Sequence, residues 1–286
     1  MTADRLVSEL LVQDPRVDKI SFTGSTAAGR RIASLCGERI ARVTLELGGK
    51  SAAVVLDDFD ITTASSTITS RACLITGQVC SSSTRIVVTR NRHDELVEAL
   101  SESFSQVKVG SAFDSDSMMG PLAMQRQRDR VEGYIGKGVD EGPKLASGGH
   151  RPSDLDRGWF IEPTVFGNVD NSFTVAQEEN FGPVLSVIPA DSEEHAVEIA
   201  NDAIYGLNNS VFTNYADRAY DVARQLRSGT VGHNSFRTDF GTAFGGFKQS
   251  GIGREGGRDA PPARRGPVAH LEGIAVSSGL EAKPTT

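Results

Sequence analysis

The sequence is poor in cysteine and in uninterrupted apolar runs. Its three cysteines among 286 residues form no C-x-x-C pair, which excludes a disulfide framework and a cysteine-rich zinc site. No stretch approaches the roughly 18 apolar residues of a membrane span, and the first residues lack the apolar region of a signal peptide. These absences predict a cytoplasmic protein in a reducing compartment, with no membrane partner.

Basic charge is scarce as well. The 30 Lys and Arg residues are outnumbered by 37 Asp and Glu residues, which gives a formal net charge of −7. Because no block of Lys or Arg marks one helix face, we expect no nucleic-acid partner. The five histidines show no ligand spacing, so the sequence predicts no metal site.

Short β-branched runs alternate with segments of helical periodicity along most of the chain. This alternation predicts an α/β fold with a largely parallel sheet. The predicted strands are 17–23, 42–47, 52–56, 85–89, 159–166, 184–188, 210–213, 230–234 and one last strand at 270–276. The predicted helices are 25–36, 60–76, 93–104, 123–140, 193–203 and 216–226.

Two side chains are candidates for chemistry. Glu46 lies in the run Leu45-Glu-Leu-Gly-Gly-Lys50, where flanking leucines would exclude water and raise the pKa of the carboxyl group toward that of a general base. An outward-facing strand residue is an equally open interpretation. Cys80 lies in a loop of small residues that leaves its sulfur reachable as a nucleophile. For Cys36 and Cys73 we adopt the usual role of a small buried apolar residue.

Glycine-containing turns mark two further segments. Phe22-Thr-Gly-Ser-Thr26 lies where a strand passes into a helix, so Gly24 allows close backbone approach and the helix N–H groups could face a phosphate. An ordinary turn capped by Ser25 or Thr26 is the alternative. Residues 244–257 contain six glycines in fourteen positions, which suits either a pliable loop near a site or flexible surface structure.

Five motifs follow one another along the chain: Phe22-Thr-Gly-Ser-Thr26, Leu45-Glu-Leu-Gly-Gly-Lys50, Gly77-Gln-Val-Cys80, Glu178-Glu-Asn-Phe-Gly-Pro183 and Gly245-Gly-Phe-Lys-Gln-Ser-Gly251. In this order they resemble the NAD(P)-dependent aldehyde dehydrogenase superfamily. The resemblance covers roughly residues 11–257. It implies an aldehyde dehydrogenase-like fold, with a catalytic α/β domain and a truncated Rossmann-like cofactor domain.

The resemblance implies how an aldehyde is oxidised to a carboxylic acid. Cys80 would attack the aldehyde to form a thiohemiacetal, and hydride would pass to NAD or NADP, with NAD favoured. Glu46 would then activate water to hydrolyse the thioester. Gln78 and the Cys80 backbone N–H would flank the developing oxyanion.

The resemblance also implies binding residues. Glu255 would assist the catalytic base, and Phe236 and Phe240 would line the aldehyde tunnel. Asn180 departs from the family, which usually has an apolar residue at this position. Six residues would bind the cofactor: Gly24 and Ser25 beside the pyrophosphate, Leu47 and Gly48 beside the nicotinamide, and Glu179 and Phe181 on its ribose and ring.

Length is the largest departure from the family, whose members carry a long N-terminal portion before the motif that begins here at Phe22. We therefore expect a C-terminal portion lacking the N-terminal part. Residues 1–46 would be a remnant of the NAD(P)-binding domain, 47–257 the catalytic domain, and 258–286 a C-terminal arm or oligomerisation remnant. The arm, if functional, would support a homo-oligomer.

Two alternatives to the aldehyde dehydrogenase activity stay open. One is an inactive, truncated family member that acts at most as a structural or interaction remnant. The other is a cofactor-independent cysteine esterase, since acyl chemistry at a cysteine does not require hydride transfer. We expect the chain alone to oxidise aldehydes poorly or not at all.

Overall fold

The structure is a computed structural model that describes residues 5–235, 241–257, 268–271 and 274–277. Short 3₁₀ turns lie at Leu74–Gly77 and Arg90–Arg92. The helices are α1 (Arg5–Gln13), α2 (Thr26–Glu38), α3 (Ile61–Ala72), α4 (His93–Ser105), α5 (Gln125–Glu141), α6 (Thr174–Gln177), α7 (Glu193–Asn201) and α8 (Ala216–Ala223). The strands are β1 (Lys19–Thr23), β2 (Arg42–Glu46), β3 (Ser51–Val55), β4 (Ser83–Thr89), β5 (Lys144–Ser147), β6 (Thr164–Gly167), β7 (Val184–Ala190), β8 (Tyr205–Gly206), β9 (Asn208–Phe212), β10 (Thr230–His233), β11 (Phe247–Lys248), β12 (Gly251–Ile252), β13 (Val268–Leu271) and β14 (Ile274–Ser277).

The main sheet has the strand order β14-β13-β10-β9-β3-β4-β7-β6-β5. Within the described part of this sheet, the pairs from β13 to β6 are parallel and the outer pairs β13–β14 and β5–β6 are antiparallel. The predicted α/β fold with a largely parallel sheet is thereby confirmed. Parallel strands need crossover connections, and the helices supply them.

Helices cover both faces of the main sheet, which explains why its central strands are buried without alternation. In β3 the residues 52–55 are no more than 1% exposed. One apolar cluster joins the sheet to α5, α7 and α8, and the other joins it to α3 and α4. Each fully buried valine or leucine contributes about 1.5–3 kcal/mol relative to an exposed one, so this sheet is a stable platform for the loops at its edge.

A smaller sheet has the order β1-β2-β12. β1 runs parallel to β2, with Thr23 opposite Glu46, and β12 runs antiparallel to β2, with Gly251 also opposite Glu46. The predicted boundary after residue 46 coincides with the end of β2, although β12 comes from the far end of the chain. The division into 1–46, 47–257 and 258–286 stays a prediction.

The structure corrects several predicted elements. The strand predicted at 159–166 begins only at Thr164, because Pro163 before it has no N–H to donate to a sheet. The helix predicted to reach residue 76 ends at Ala72, and Ile75 and Thr76 adopt left-handed φ values of 50° and 56°. The strand predicted at 270–276 is replaced by two antiparallel strands, β13 and β14. Helices α1 and α6 and the strands β5, β8, β11 and β12 were not predicted.

No helix in the described ranges is long and apolar enough to cross a membrane.

Candidate active site

Glu46 is the last residue of β2 and is only 4% exposed, which excludes the outward-facing interpretation. Neither of its carboxylate oxygens has a hydrogen-bond partner among the described residues. Burial, followed by the negative charge of Glu255, raises the pKa of Glu46 to about 8, while the positive charge of Arg254 acts in the opposite direction. The carboxyl group therefore exchanges its proton near neutral pH, as a general base requires.

The glycine-rich segment 244–257 packs against this carboxyl group. A Cβ atom at Gly245 would lie 2.9 Å from Glu46 Oε1, so the segment can approach so closely only with glycine there. The Leu47 N–H donates to the Ser250 carbonyl oxygen at 2.8 Å, which extends the β2–β12 pairing past Glu46. The segment thus forms one wall around the candidate base.

Cys80 lies in the loop between the 3₁₀ turn and β4, and its side chain is half-buried. Gly77 has a φ of 69°, and a Cβ atom there would lie 2.3 Å from the carbonyl carbon of Gly182. A Cβ atom at Gly49 would lie 2.2 Å from the carbonyl oxygen of Cys80. Two close backbone contacts therefore hold the loop that carries the thiol.

Burial raises the pKa of the Cys80 thiol, and the negative charges of Glu179 and Glu46 raise it further. Backbone N–H groups of residues 80 and 81 act in the opposite direction. Cys36 and Cys73 are 1% and 7% exposed, and burial raises the pKa of Cys73 to about 12. Cys80 is thus the most accessible of the three thiols.

Glu179 approaches the thiol from the loop before β7. Its Oε1 accepts a hydrogen bond of 3.0 Å from the Gly49 N–H, and a Cβ atom at Gly48 would lie 2.5 Å from its Oε2. Burial raises the pKa of the Glu179 carboxyl group, whereas the Gly49 hydrogen bond and the charges of Arg130 and Lys50 lower it. The turn after β2 therefore contacts this carboxylate and holds it in place.

Helix α5 anchors the same loop. Arg130 donates to the Glu179 carbonyl oxygen at 2.7 Å, and Gln127 Nε2 donates to the Phe181 carbonyl oxygen at 2.8 Å. Phe181 has a left-handed φ of 55°, a strained conformation of the kind that often lies at functional sites. Asn180 is buried and its side chain donates to the Val184 carbonyl oxygen at 3.4 Å, so the family departure at this position is accommodated locally.

These groups meet at one cavity of about 730 Å³. All eight predicted site residues line it: Gly24, Ser25, Glu46, Leu47, Gly48, Cys80, Glu179 and Phe181. The cavity is also lined by Arg126, Gln127 and Arg130, which were not predicted because a polar face on α5 is the ordinary pattern of a solvated helix. The apolar wall residues Ile75 and Val79 were not predicted either. The individual roles of the predicted residues stay predictions.

Four further residues were assigned roles from the family resemblance, and the structure describes two of them. Gln78 lines the cavity, but its side chain also accepts from the Ala123 N–H at 3.1 Å and donates to the Ile75 carbonyl oxygen at 3.1 Å. Glu255 accepts a hydrogen bond from the Ser21 hydroxyl group and influences Glu46 through its charge. Phe236 and Phe240 lie outside the described residues.

Several residues of this cavity have groups that could contact a nucleotide. Ser25, which lines the cavity, caps the 13-residue helix α2, its Oγ accepting from the Ala28 N–H at 3.3 Å, so the cavity lies beside the start of that helix. Leu47 and Phe181 offer apolar surface, and the Glu179 carboxylate can accept from hydroxyl groups. The fold and this cavity define the class: an α/β protein with a thiol and a buried carboxyl group on one cavity of about 730 Å³.

Comparison with known proteins identifies the family of this chain. The aldehyde dehydrogenase family model matches residues 1–262, and the chain belongs to this family. It is 47% identical over 257 residues to geranial dehydrogenase of Castellaniella defragrans, covering 90% of this chain and 53% of that protein. It is 44% identical over 252 residues to a putative aldehyde dehydrogenase of Staphylococcus saprophyticus, covering 88% and 53%.

Solved structures agree with the sequence relatives. The aldehyde dehydrogenase of Mycobacterium tuberculosis complexed with NAD⁺ has a TM-score of 0.86 and 46% identity, over 88% of this chain and 52% of that one. Betaine aldehyde dehydrogenase of Staphylococcus aureus in complex with NAD⁺ has a TM-score of 0.86 and 38% identity, over 88% and 51%. The chain spans about half the length of the relatives it matches.

Proposed function

We propose that the chain carries the nucleophile and the base of an aldehyde dehydrogenase that oxidises an aldehyde to a carboxylic acid with NAD(P)⁺. The observation that carries the proposal is the meeting of Cys80 and Glu46 at one cavity with all six residues assigned to the cofactor. Membership of the aldehyde dehydrogenase family supports it.

Cys80 is the proposed nucleophile. Its thiolate adds to the carbonyl carbon of the aldehyde, and the carbonyl oxygen of the resulting thiohemiacetal gains negative charge that N–H donors stabilise. A bound NAD(P)⁺ would supply the acceptor for the hydride that leaves the former carbonyl carbon, and Cys80 would then carry the thioester. Burial, followed by the charges of Glu179 and Glu46, opposes thiolate formation, so the attack should speed up as pH rises.

Glu46 is the proposed base for hydrolysis of the thioester. A water molecule attacks the thioester carbonyl, Glu46 takes the proton, and the C–S bond breaks to release the carboxylic acid and the Cys80 thiol. Only the ionised form of Glu46 can take a proton. Because its pKa is about 8, we expect hydrolysis to accelerate through that pH.

The cofactor and substrate assignments rest on the cavity and the relatives. Gly24 and Ser25 would bind the pyrophosphate, and Glu179 and Phe181 would hold the nicotinamide ribose and ring. We favour NAD over NADP because the two solved relatives named above are complexes with NAD⁺. Geranial and betaine aldehyde are the first aldehydes to test, since relatives are named for them.

The decisive experiment separates acyl chemistry from hydride transfer. With p-nitrophenyl acetate and no cofactor, we expect a burst of nitrophenolate from acylation of Cys80, followed by slow turnover. Cys80→Ser should abolish the burst, and Glu46→Gln should retain the burst but slow the turnover about 10²-fold or more. Cys73→Ser is the matched control. A burst that persists without Cys80 would overturn the proposal.

NADH formation at 340 nm with a panel of aldehydes then tests the dehydrogenase step. NADH formation that requires both Cys80 and Glu46 supports an aldehyde dehydrogenase. Ester turnover with no NADH formation favours the cofactor-independent esterase. Neither reaction would favour an inactive family member.

A further inference from the structure

Three consecutive residues just before the proposed nucleophile adopt left-handed backbone conformations. Ile75, Thr76 and Gly77 have φ values of 50°, 56° and 69°. Glycine adopts such values readily, whereas in a β-branched residue the Cβ atom crowds the following carbonyl oxygen. The turn that leads to Cys80 is therefore strained at two of its three residues, as is common at functional sites.

Neighbouring contacts explain the conformation of this turn. The Thr76 side chain is buried, and its hydroxyl group donates to the Gly120 carbonyl oxygen at 3.1 Å. The Ile75 carbonyl oxygen accepts from the backbone N–H of Gln78 at 3.0 Å and from its side-chain Nε2 at 3.1 Å. At position 75 these bonds involve only the backbone, so they would form with any residue there.

The Ile75 side chain has a second unfavourable feature. It is 65% exposed and belongs to none of the three apolar clusters in the described part of the chain. It therefore contributes little of the apolar burial that normally favours isoleucine. Asparagine is polar and tolerates the left-handed conformation, so it would suit this position better. Folding by itself does not explain an isoleucine at position 75.

The cavity offers an explanation, because Ile75 lines it together with Val79 and Cys80. An apolar group bound in the cavity would cover the exposed Ile75 side chain and bury the surface that folding leaves in water. The two apolar residues lie on the same segment as the thiol, whereas the lining arginines, Arg126 and Arg130, lie on α5. The wall beside the thiol is thus apolar.

We propose that Ile75 is a specificity-determining residue that contacts the hydrocarbon chain of the substrate. The site then prefers aldehydes with an aliphatic chain of several carbons to very short or anionic ones. The contact with substrate offsets the strain and the exposure of Ile75. The inference rests on the proposed function in one respect, the reaction of the aldehyde at Cys80.

Alkylation of the thiol tests this contact without any catalytic step. The probes are N-methylmaleimide, N-hexylmaleimide and maleimidohexanoic acid, which differ in chain length and in terminal charge. Peptide mapping gives the rate constant at Cys80, which is divided by the rate constant of the same probe with N-acetylcysteine. In wild-type protein the hexyl probe should react about tenfold faster than the methyl probe on this scale, and faster than the acid.

Ile75→Asn should reduce the hexyl-to-methyl ratio about fivefold, because the apolar contact is lost. The same variant should have a higher urea midpoint, since asparagine tolerates the left-handed conformation. Ile75→Leu keeps an apolar side chain and should retain the ratio. The matched control is Ile40→Asn: Ile40 has a φ of 56°, is 93% exposed and lies outside the cavity lining. It should gain stability with no change in the ratio.

The ester reaction extends the comparison to acyl transfer. The burst rate with p-nitrophenyl hexanoate, relative to that with the acetate, should fall in Ile75→Asn and not in Ile40→Asn. If wild-type protein gives no burst at Cys80, the proposed function fails, while the maleimide series still decides the role of Ile75. If Ile75→Asn does not fold, Ile75→Ala decides by the same ratio.

Three results would overturn the proposal. One is an unchanged hexyl-to-methyl ratio in Ile75→Asn, which would show that the side chain does not contact the bound chain. Another is an equal fall in Ile40→Asn, which would trace the effect to the fold. The third is a wild-type preference for the acid over the hexyl probe, which would assign the selectivity to the arginines of α5.

Discussion

Glu46 carries a carboxyl group in a place where its charge is unfavourable. Its pKa is about 8 in the folded chain and 4.5 for the free group, so the folded state binds the proton more tightly. Stability is therefore lost as pH rises from about 4.5 to about 8, and the loss is complete above that range. The chain thus retains a destabilising residue at the position of the proposed base, as is common at functional sites.

This predicts a pH-dependent gain in stability for Glu46→Gln. At pH 5 the two proteins should have similar free energies of unfolding in urea. At pH 9 the variant should be more stable by on the order of 2–4 kcal/mol, because it carries no charge to bury. Glu132→Gln is the control and should be destabilised at pH 9, since Arg151 holds the pKa of Glu132 below its usual value. Equal curves for wild type and Glu46→Gln at both pH values would contradict the burial of Glu46.

The three thiols differ in accessibility, which predicts an order of alkylation. Iodoacetamide should modify Cys80 before Cys36 or Cys73, because the latter two are buried in apolar clusters. The alkylation rate at Cys80 should continue to rise at pH values above the pKa of a free thiol, since burial and two carboxylates raise the pKa of Cys80. Peptide mapping with mass spectrometry gives the order. Earlier labelling of Cys36 or Cys73 would show that the loop does not expose Cys80.

The turn between β2 and β3 joins the base to the nucleophile. Glu46 is the last residue of β2. After it, Gly48 and Gly49 contact the Glu179 carboxylate, and Gly49 also contacts the carbonyl oxygen of Cys80. A single turn of small residues thereby sets the spacing of three candidate site residues. Rigid strands on either side make this spacing more precise than a free loop could.

Gly49→Ala should therefore disturb the site more than the fold around it. The new Cβ atom would lie 2.2 Å from the Cys80 carbonyl oxygen, so the Cys80 loop must shift. We expect a loss of about 1–3 kcal/mol in unfolding free energy and a slower ester burst. The control is Gly136→Ala in α5, where a Cβ atom meets nothing within 4 Å and should stabilise the helix by about 0.5–1 kcal/mol. A normal burst in Gly49→Ala would contradict the close contact.

One face of the molecule is unusually apolar. Leu6, Leu10 and Leu11 of α1 are 71%, 66% and 59% exposed, and α1, β1 and α2 line a cavity of about 700 Å³. β1 pairs with β2, and no described strand pairs with its other side. Exposed apolar surface beside an unpaired strand edge favours association.

The chain should therefore bind an apolar dye and self-associate at this face. Leu10→Gln combined with Leu11→Gln should lower both the fluorescence of anilinonaphthalene sulfonate and the light scattering of concentrated protein. Phe113→Gln is the control, because Phe113 is fully exposed and lies outside this cavity. Dye binding that falls in the control and not in the leucine variant would place the apolar surface elsewhere.

Local sequence patterns were sufficient to predict the fold class and two properties of the candidate site. The alternation of β-branched runs and helical periods predicted the α/β fold, because strand and helix periods are properties of neighbouring residues. The leucines beside Glu46 predicted its raised pKa, and the small residues around Cys80 predicted an accessible thiol. These features depend on residues close in the chain, where a single sequence is most informative.

Contacts between distant residues required the tertiary structure. Gly49 and Glu179 are 130 positions apart, and only the packing of β2, β3 and the loop before β7 brings the amide to the carboxylate. No pattern in the neighbouring sequence predicts that Gln127 and Arg130 hold that loop. None predicts the burial of Lys50 beside Arg85 either. For a charged residue in a polar helix or after a glycine turn, the sequence pattern predicts solvent exposure. Its environment, and hence its pKa and its partner, is decided by the segments that fold against it.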